Sequence, residues 1–532
     1  MRLFVQAGRN PRKEAGDDVW ILLENTWNDY SYRTLYNLYR QTAEGFRQLG
    51  GIKILRMGQP EVETTMALGE LAGGRLPDNC ISRGNNLDLY VALTELGQAT
   101  ARAILSDLRD IAMEPWLADP FANEPGFAKS LLRDEAEPEE FYADARSVIE
   151  AGGPPPALNG FSFGFAPGPD ANMIEFAFHP ALKAPMKGEV APARRVMVFV
   201  GANGVGKTQL LARLARVAYT PPSEREAVAA DGHFRDAPAF PGIAVISYSA
   251  FDTFRPPELE GDSPELVAEQ LARGTGRYAY CGTRDLAWTL QHQDQPPKLL
   301  SPQAQAELFK ARIEQVREAG KFDLLARALL PVFAEDSFRR LISPPREGVL
   351  PTPSKRLENF LGADAAETFL GLSSGHMIVL HVITSLVATM RRRGLALIDE
   401  PETHLHPPLL AALMTGVRRV LDQLGGYAVI ATHSPVVAQE VPASQVRVVE
   451  YGVAGPLVRP VGIQTFGENT GTLTREIFGL HTGATDYRHV LDRLAAVFDS
   501  VEAIEEALGE RLSTQAIAHV TAALARRANA RG

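Results

Sequence analysis

The sequence predicts an α/β protein, and three stretches predict it. Val196–Val200, Leu395–Ile398 and Ala428–Ala431 are apolar runs of strand length, the pattern of buried strands. The first leads into Gly201-Ala202-Asn203-Gly204-Val205-Gly206-Lys207-Thr208, with a helix starting near Lys207. The second ends in Asp399-Glu400-Pro401 and the third in Thr432-His433-Ser434. In α/β sheets such polar strand ends are where ligand-contacting loops sit.

Length and composition set the outer bounds. A chain of 532 residues exceeds one ordinary core, so two or three structural units are expected. The formal net charge of -10 gives no bulk electrostatic pull toward nucleic acid. Cys80 and Cys281 are the only cysteines, far apart and in no metal-like cluster, which fits a reduced, cytoplasmic setting. The N-terminus lacks the basic segment and apolar run of a secretion signal, and no apolar run is long enough to cross a bilayer.

In chain order, residues 1–155 read as a mixed region that contributes in part to the main α/β unit. Asp18–Asn25 and Asn28–Arg33 are strand candidates joined by an Asn-Asp turn. Trp20, Trp27, Tyr30 and Tyr32 form either a recognition face or the packed side of a sheet. Leu89, Leu93, Leu96, Ile104 and Leu108 make a helical stripe over 87–110. The acidic run from Asp134 to Glu140 reads as a solvated surface, and Ala151–Pro156 as a break. Phe161–Phe165 and Met173–Phe178 alternate as an antiparallel hairpin around Pro167–Asp170. Residues 156–258 are the first part of the α/β unit, 259–362 a helical insertion, 363–475 the second part and 476–532 C-terminal helices. Within the insertion, Ser301–Ala319 presents Ala306, Phe309, Ile313 and Val316 on one face. No sustained heptads mark a long arm.

The glycine stretch after Val200 has the spacing of a P-loop. Gly201, Asn203, Gly204 and Gly206 let the chain turn tightly and aim backbone N–H groups at an anion. Lys207 then reaches the β and γ phosphates of ATP, and the Thr208 hydroxyl ligates Mg2+. Asp399 is placed to hold the same ion through its water shell, and Glu400 to polarise the attacking water. His433 can donate to the γ phosphate. Ser373, Ser374 and Gly375, just ahead of a helix, can offer hydroxyl and N–H groups to phosphate. Glu402, His404 and His406, spaced by two, fall on one side of an extended chain. No third cluster joins them as a metal site, so an interface-loop reading is preferred.

As an ordered set these residues resemble the ABC-type ATPase head of the SMC, RecF and OLD branch, and the run 399–407, Asp-Glu-Pro-Glu-Thr-His-Leu-His-Pro, is especially similar. The resemblance implies an α/β, ABC/SMC-like P-loop head with an antiparallel flanking sheet. It also implies head-to-tail dimers, as a homodimer or higher homo-oligomer. ATP would lie between Lys207 and Thr208 of one copy and Ser373, Ser374 and Gly375 of another. Glu400 would be the hydrolytic base, His433 the switch histidine and Thr403–His406 an interface loop. The chain departs from the family at His376, where transporters carry Gln. No Q-loop is placed either: Ser249–Asp252 has the right location but no Gln.

The output is read more coarsely. Asp486, Asp492 and Asp499 are scattered after His433, not gathered at acidic strand ends as a nuclease module requires. The head over 160–475, with Ser247–Asp252 and Tyr280–Gly282, is similar to the PtuA-type ATPase of Septu anti-phage defence. That resemblance implies an ATP-responsive assembly with a separate HNH nuclease, reaching DNA through the complex. One competing reading is a RecF- or SMC-like DNA-repair ATPase, with Arg194-Arg195 and Arg391–Arg393 on phosphates. The other is an ATP-stabilised scaffold with negligible turnover. Leu491, Leu494, Phe498, Val501, Ile504 and Leu508 mark an amphipathic surface for a partner or for internal packing.

Overall fold

A computed structural model describes residues 2–531 other than 9, 17, 26–31, 43–44, 62, 133–137, 154–159, 179–193, 237–238, 250–251, 256–262, 293, 340–351, 453–454 and 479–486. Trp27 and Tyr30, most of the acidic run, and Pro154–Pro156 lie outside these residues.

The N-terminal region forms its own sheet from β1 (Arg2–Gln6), β2 (Val19–Glu24), β3 (Leu35–Thr42), β4 (Gly45–Arg56), β5 (Gly69–Glu70) and β6 (Cys80–Gly84). Their order is β5-β1-β2-β3-β4-β6. Only the β1–β2 pairing is parallel. Side chains alternate between faces. Leu3, Val5, Trp20 and Leu22 join a core with α1 (Leu87–Thr94), α2 (Gln98–Asp107) and α3 (Pro138–Ala151), whereas Phe4, Val19 and Ile21 pack on the opposite face. No strand of this region pairs with the main sheet among the described residues. The 87–110 stripe is two helices, broken where Gly97 takes φ 95°, a conformation costly for residues with a Cβ. Trp20 and Tyr32 are buried, so they are packing residues.

β7 (Phe161–Ala166) and β8 (Ile174–Phe178) form the expected hairpin, and β10 (His233–Arg235) extends it to a three-stranded antiparallel sheet. The main sheet is built from β9 (Val196–Val200), β11 (Ile243–Ser247), β12 (Tyr278–Gly282), β13 (Leu395–Asp399), β14 (Tyr427–Thr432), β15 (Val446–Gly452) and β16 (Gly455–Pro460). It runs β12-β11-β13-β14-β9-β15-β16 and is parallel except at β16. Parallel strands covered on both faces must be apolar throughout, which explains the unbroken runs in the sequence.

Those faces bury different partners. Met197 and Phe199 pack with α4 (Lys207–Tyr219), α5 (Pro264–Arg273), α6 (Leu286–Gln291) and the β7–β8 hairpin. Val196, Val198 and Val200 pack toward α7 (Pro302–Glu318), α8 (Phe322–Ala334), α9 (Asp336–Arg339), α10 (Pro353–Leu361), α11 (Ala365–Leu370), α12 (Ser374–Thr389) and α13 (Pro407–Leu424). The stretch 259–362 is mostly helical and also supplies edge strand β12. In α7, Ala306, Phe309, Ile313 and Val316 are buried as the periodicity requires.

α14 (Pro435–Gln439) and α15 (Thr470–Phe478) complete this unit, and α16 (Tyr487–Val497), α17 (Val501–Leu508) and α18 (Thr514–Arg531) follow. Leu491, Ala495, Ile504, Ala516 and Val520 form the core of these last helices, so most of the C-terminal stripe is spent on internal packing. The N-terminal region is tied to the main unit through α3. Arg391 pairs with Glu150, and Arg393 with Asp144 at 3.3 Å. Among the described residues no helix is long and apolar enough to cross a membrane.

Candidate functional site

Three neighbouring strand ends, those of β13, β14 and β9, bring together Lys207, Thr208, Asp399, Glu400 and His433. The glycine loop Gly201–Gly206 fits against β15 so closely that a Cβ on Gly201 would lie 2.3 Å from the Val449 carbonyl oxygen. Gly206 holds φ 95° as the N-cap of α4, a left-handed conformation open to glycine at little cost. Asn203 and Gly204 are exposed at the loop crest. Lys207 is buried, and its Nζ donates to the carbonyls of Gly201 and Ala202, both at 2.9 Å. Burial lowers its pKa, while Glu400, Glu402 and Asp399 pull the other way.

Thr208 Oγ1 lies 3.1 and 2.9 Å from the two oxygens of Asp399, which is buried. Burial pushes the Asp399 carboxyl up to about 7; the Thr208 hydrogen bond opposes this, and the charges of Glu400 and Asp252 add to it. A hydroxyl beside a buried carboxylate is a hard-oxygen donor set, and Mg2+ prefers such ligands with several of its waters retained. The two residues fit that ion.

Glu400 has φ 47°, an uncommon value for a residue with a side chain. Its N–H donates to the Ala431 carbonyl at 2.8 Å, which ties the turn after β13 to β14. Sequence reasoning missed Glu402 as part of this cluster. One of its oxygens, Oε1, accepts from Thr432 Oγ1 at 2.7 Å and the His433 N–H at 2.6 Å, and stands 3.0 Å from His433 Nδ1. Burial alone would raise the Glu402 carboxyl, but the hydrogen bonds from His433 and Thr432 hold it below the usual range. The same contact with Glu402 raises the His433 pKa against the opposing effect of burial. A carboxylate three residues past a strand-ending Asp was the available signal. Its regular spacing from His404 and His406 drew it into the interface-loop reading instead; no cluster of three metal-ligating side chains exists among the described residues.

At the start of α12, Ser373 and Ser374 are exposed and Gly375 is buried. Ser373 is the N-cap of α12. A Cβ on Gly375 would meet the His404 carbonyl oxygen at 3.0 Å, so this turn packs on the 402–406 loop. No hydrogen bond joins 373–375 to the glycine loop among the described residues. Beside β13, the carboxylate of Asp252 accepts from Arg284 Nη1 at 2.6 Å and Tyr280 Oη at 2.7 Å. The stretch at the location where a Q-loop would fall thus has its acidic end locked into packing, and residues 250–251 are outside the described part.

An α/β unit with this arrangement of strand ends is an ATPase-type unit, and residues 196–438 match the family described as "AAA domain, putative AbiEii toxin, Type IV TA system". Residues 196–438 are thus a part of the chain that resembles an ATP-binding AAA domain. It belongs to the family of protein ea59 of Escherichia phage lambda, with 31% identity over 497 residues that cover 89% of this chain and 88% of that protein. Among solved structures, an inward-facing metal-chelate type ABC transporter aligns over 60% of this chain and 88% of its own, at 13% identity and a TM-score of 0.26.

Proposed function

We propose that the chain is an ATP-hydrolysing switch of the ABC/SMC-like kind, in which two copies pair head-to-tail around ATP. The observation that carries this reading is the convergence of Lys207, Thr208, Asp399, Glu400 and His433 on three adjacent strand ends. Lys207 and the P-loop N–H groups bind the phosphates. Thr208 and Asp399 would hold Mg2+, which would supply positive charge against the phosphates of ATP. Glu400 accepts the proton of the attacking water. His433, its Nδ1 engaged by Glu402, would donate to the γ phosphate through Nε2. Ser373, Ser374 and Gly375 make no hydrogen bond to the glycine loop among the described residues, which supports their use by a second copy.

The family description, which names a type IV toxin–antitoxin toxin, supports an output in conflict between phage and host. Within that output we place a separate HNH nuclease as the regulated partner. Of the three scattered aspartates, Asp486 lies outside the described residues, and Asp492 and Asp499 pair with His519 and Arg527. DNA repair is less well supported, because Arg391 and Arg393 are occupied by α3 and Arg195 donates to the Gly425 carbonyl at 3.1 Å.

The test is Glu400→Gln. Turnover should fall by about a hundredfold or more, with ATP retained and a dimer visible by light scattering. Unchanged turnover removes Glu400 as the base. Loss of turnover without an ATP-dependent dimer removes the composite site and leaves a single-chain ATPase.

A further inference from the structure

Ser373 is an N-cap residue that does not cap. An N-cap serine ordinarily accepts from the N–H of the second or third residue of its helix, yet no such bond is made here. Its Oγ lies instead 3.0 Å from His376 Nδ1. The other ring nitrogen, Nε2, lies 2.8 Å from Ser337 Oγ, and Ser337 Oγ donates to Glu335 Oε2. The edge of Phe338 closes on the imidazole with ring centroids 4.5 Å apart. A four-group chain therefore runs from the end of α12 to the α8–α9 corner of the insertion.

The direction of each proton follows from the far end. Burial raises the Glu335 carboxyl, but hydrogen bonds from Ser337 Oγ and from the Ser337 and Phe338 N–H groups outweigh it, leaving an ionised acceptor. Ser337 must then spend its only proton on Glu335, so its oxygen accepts from His376 Nε2–H. Burial lowers the His376 pKa, with Glu335 opposing and His406 adding to the effect. In the neutral ring Nδ1 is then the acceptor, and it takes the proton of Ser373. The hydroxyl is thus turned inward, away from any phosphate that a second copy would bring.

We propose that His376 is a positioning residue for Ser373, and that the Ser337–Glu335 corner sets its tautomer and thereby restrains the serine from donating to ATP. This rests on the composite-site reading of Ser373. A shift of the insertion that frees Ser337 lets Nδ1 carry the proton; Ser373 then accepts from the ring and donates outward. Glu335 and Ser337 lie on the face of the main unit formed by the insertion, so whatever moves that face moves the serine's proton.

The experiment uses the full chain with 15N-labelled histidine, and the Ser337→Ala and Ser337→Thr variants. In ATP-free parent protein the His376 ring, assigned by its loss in His376→Gln, should be the Nε2–H tautomer. Ser337→Thr should keep that tautomer and parental turnover. Ser337→Ala should mix the tautomers and raise kcat about two- to tenfold, the value of one hydrogen bond, with KM for ATP unchanged. The rise should vanish in a Ser373→Ala background. An Nδ1–H tautomer in the parent, no rise in Ser337→Ala, or an equal rise without Ser373 overturns the proposal. Parental turnover in Ser373→Ala alone defeats the composite site, and the proposed restraint on ATP falls with it. The tautomer of the parent ring still tests the hydrogen-bond chain independently, so the two failures are distinguishable.

Discussion

Glu402 Oε1 stands 3.0 Å from His433 Nδ1 while also accepting the His433 backbone N–H. One carboxylate oxygen thus fixes both the ring and the peptide that carries it. Replacing Glu402 with Gln removes the charge and keeps the shape. Turnover should fall about ten- to a hundredfold, the range for a charged hydrogen bond, with ATP affinity unchanged. Glu402 raises the His433 pKa, so the NMR titration midpoint of His433 should move down in the variant. A midpoint that stays in place would separate the histidine from this carboxylate.

Lys207→Ala should weaken ATP binding by about ten- to a hundredfold, measured by titration calorimetry. Because the Nζ also holds the Gly201 and Ala202 carbonyls, the free variant should melt slightly below the parent. Equal ATP affinity in the two proteins would remove the lysine from the site.

The joint between α3 and the main unit makes a different prediction. Arg391→Ala combined with Arg393→Ala should destabilise the chain by about 1–2 kcal/mol, as partly buried ion pairs do, and leave affinity for duplex DNA unchanged. A clear loss of DNA affinity in a filter-binding assay would return these arginines to a nucleic-acid role.

Asp110 gives the N-terminal region a pH signature. It is fully buried, accepts from Tyr90 Oη at 2.9 Å and from the N–H groups of Ala112 and Met113. Burial, partly offset by these bonds, pushes its pKa from 3.8 to about 6. The folded state therefore holds the proton more tightly than the unfolded one. This contribution is full below pH 3.8 and is lost as pH rises through about 6, a change on the order of 3 kcal/mol. Asp110→Asn should flatten that part of the stability–pH curve, measured by urea denaturation.

The sequence made the strand ends legible because parallel strands covered on both faces must be apolar, and their polar termini stand out against them. Val196–Val200 with its glycine loop, Asp399–Glu400 and His433 all stand out in this way. Glu402 escaped because its role depends on a hydrogen bond to a residue 31 positions later, which no local pattern encodes. β12 escaped for a related reason: Tyr278–Gly282 is short and sits among helices, and only its pairing with β11 makes it a strand. The independence of the N-terminal sheet was equally hidden, since alternation reveals strands and not which sheet they join.

That edge strand has a consequence for how such proteins change over time. A purely helical insertion could be lost or exchanged as a cassette. Here the cassette is stitched in, since cutting it out would also remove Arg284 and Tyr280 from Asp252. It would bare the backbone edge of β11 as well, and an open edge invites pairing with other chains. Variation between relatives should therefore concentrate in the helices beyond β12, while the first third of the insertion travels with the ATPase unit as one inherited piece.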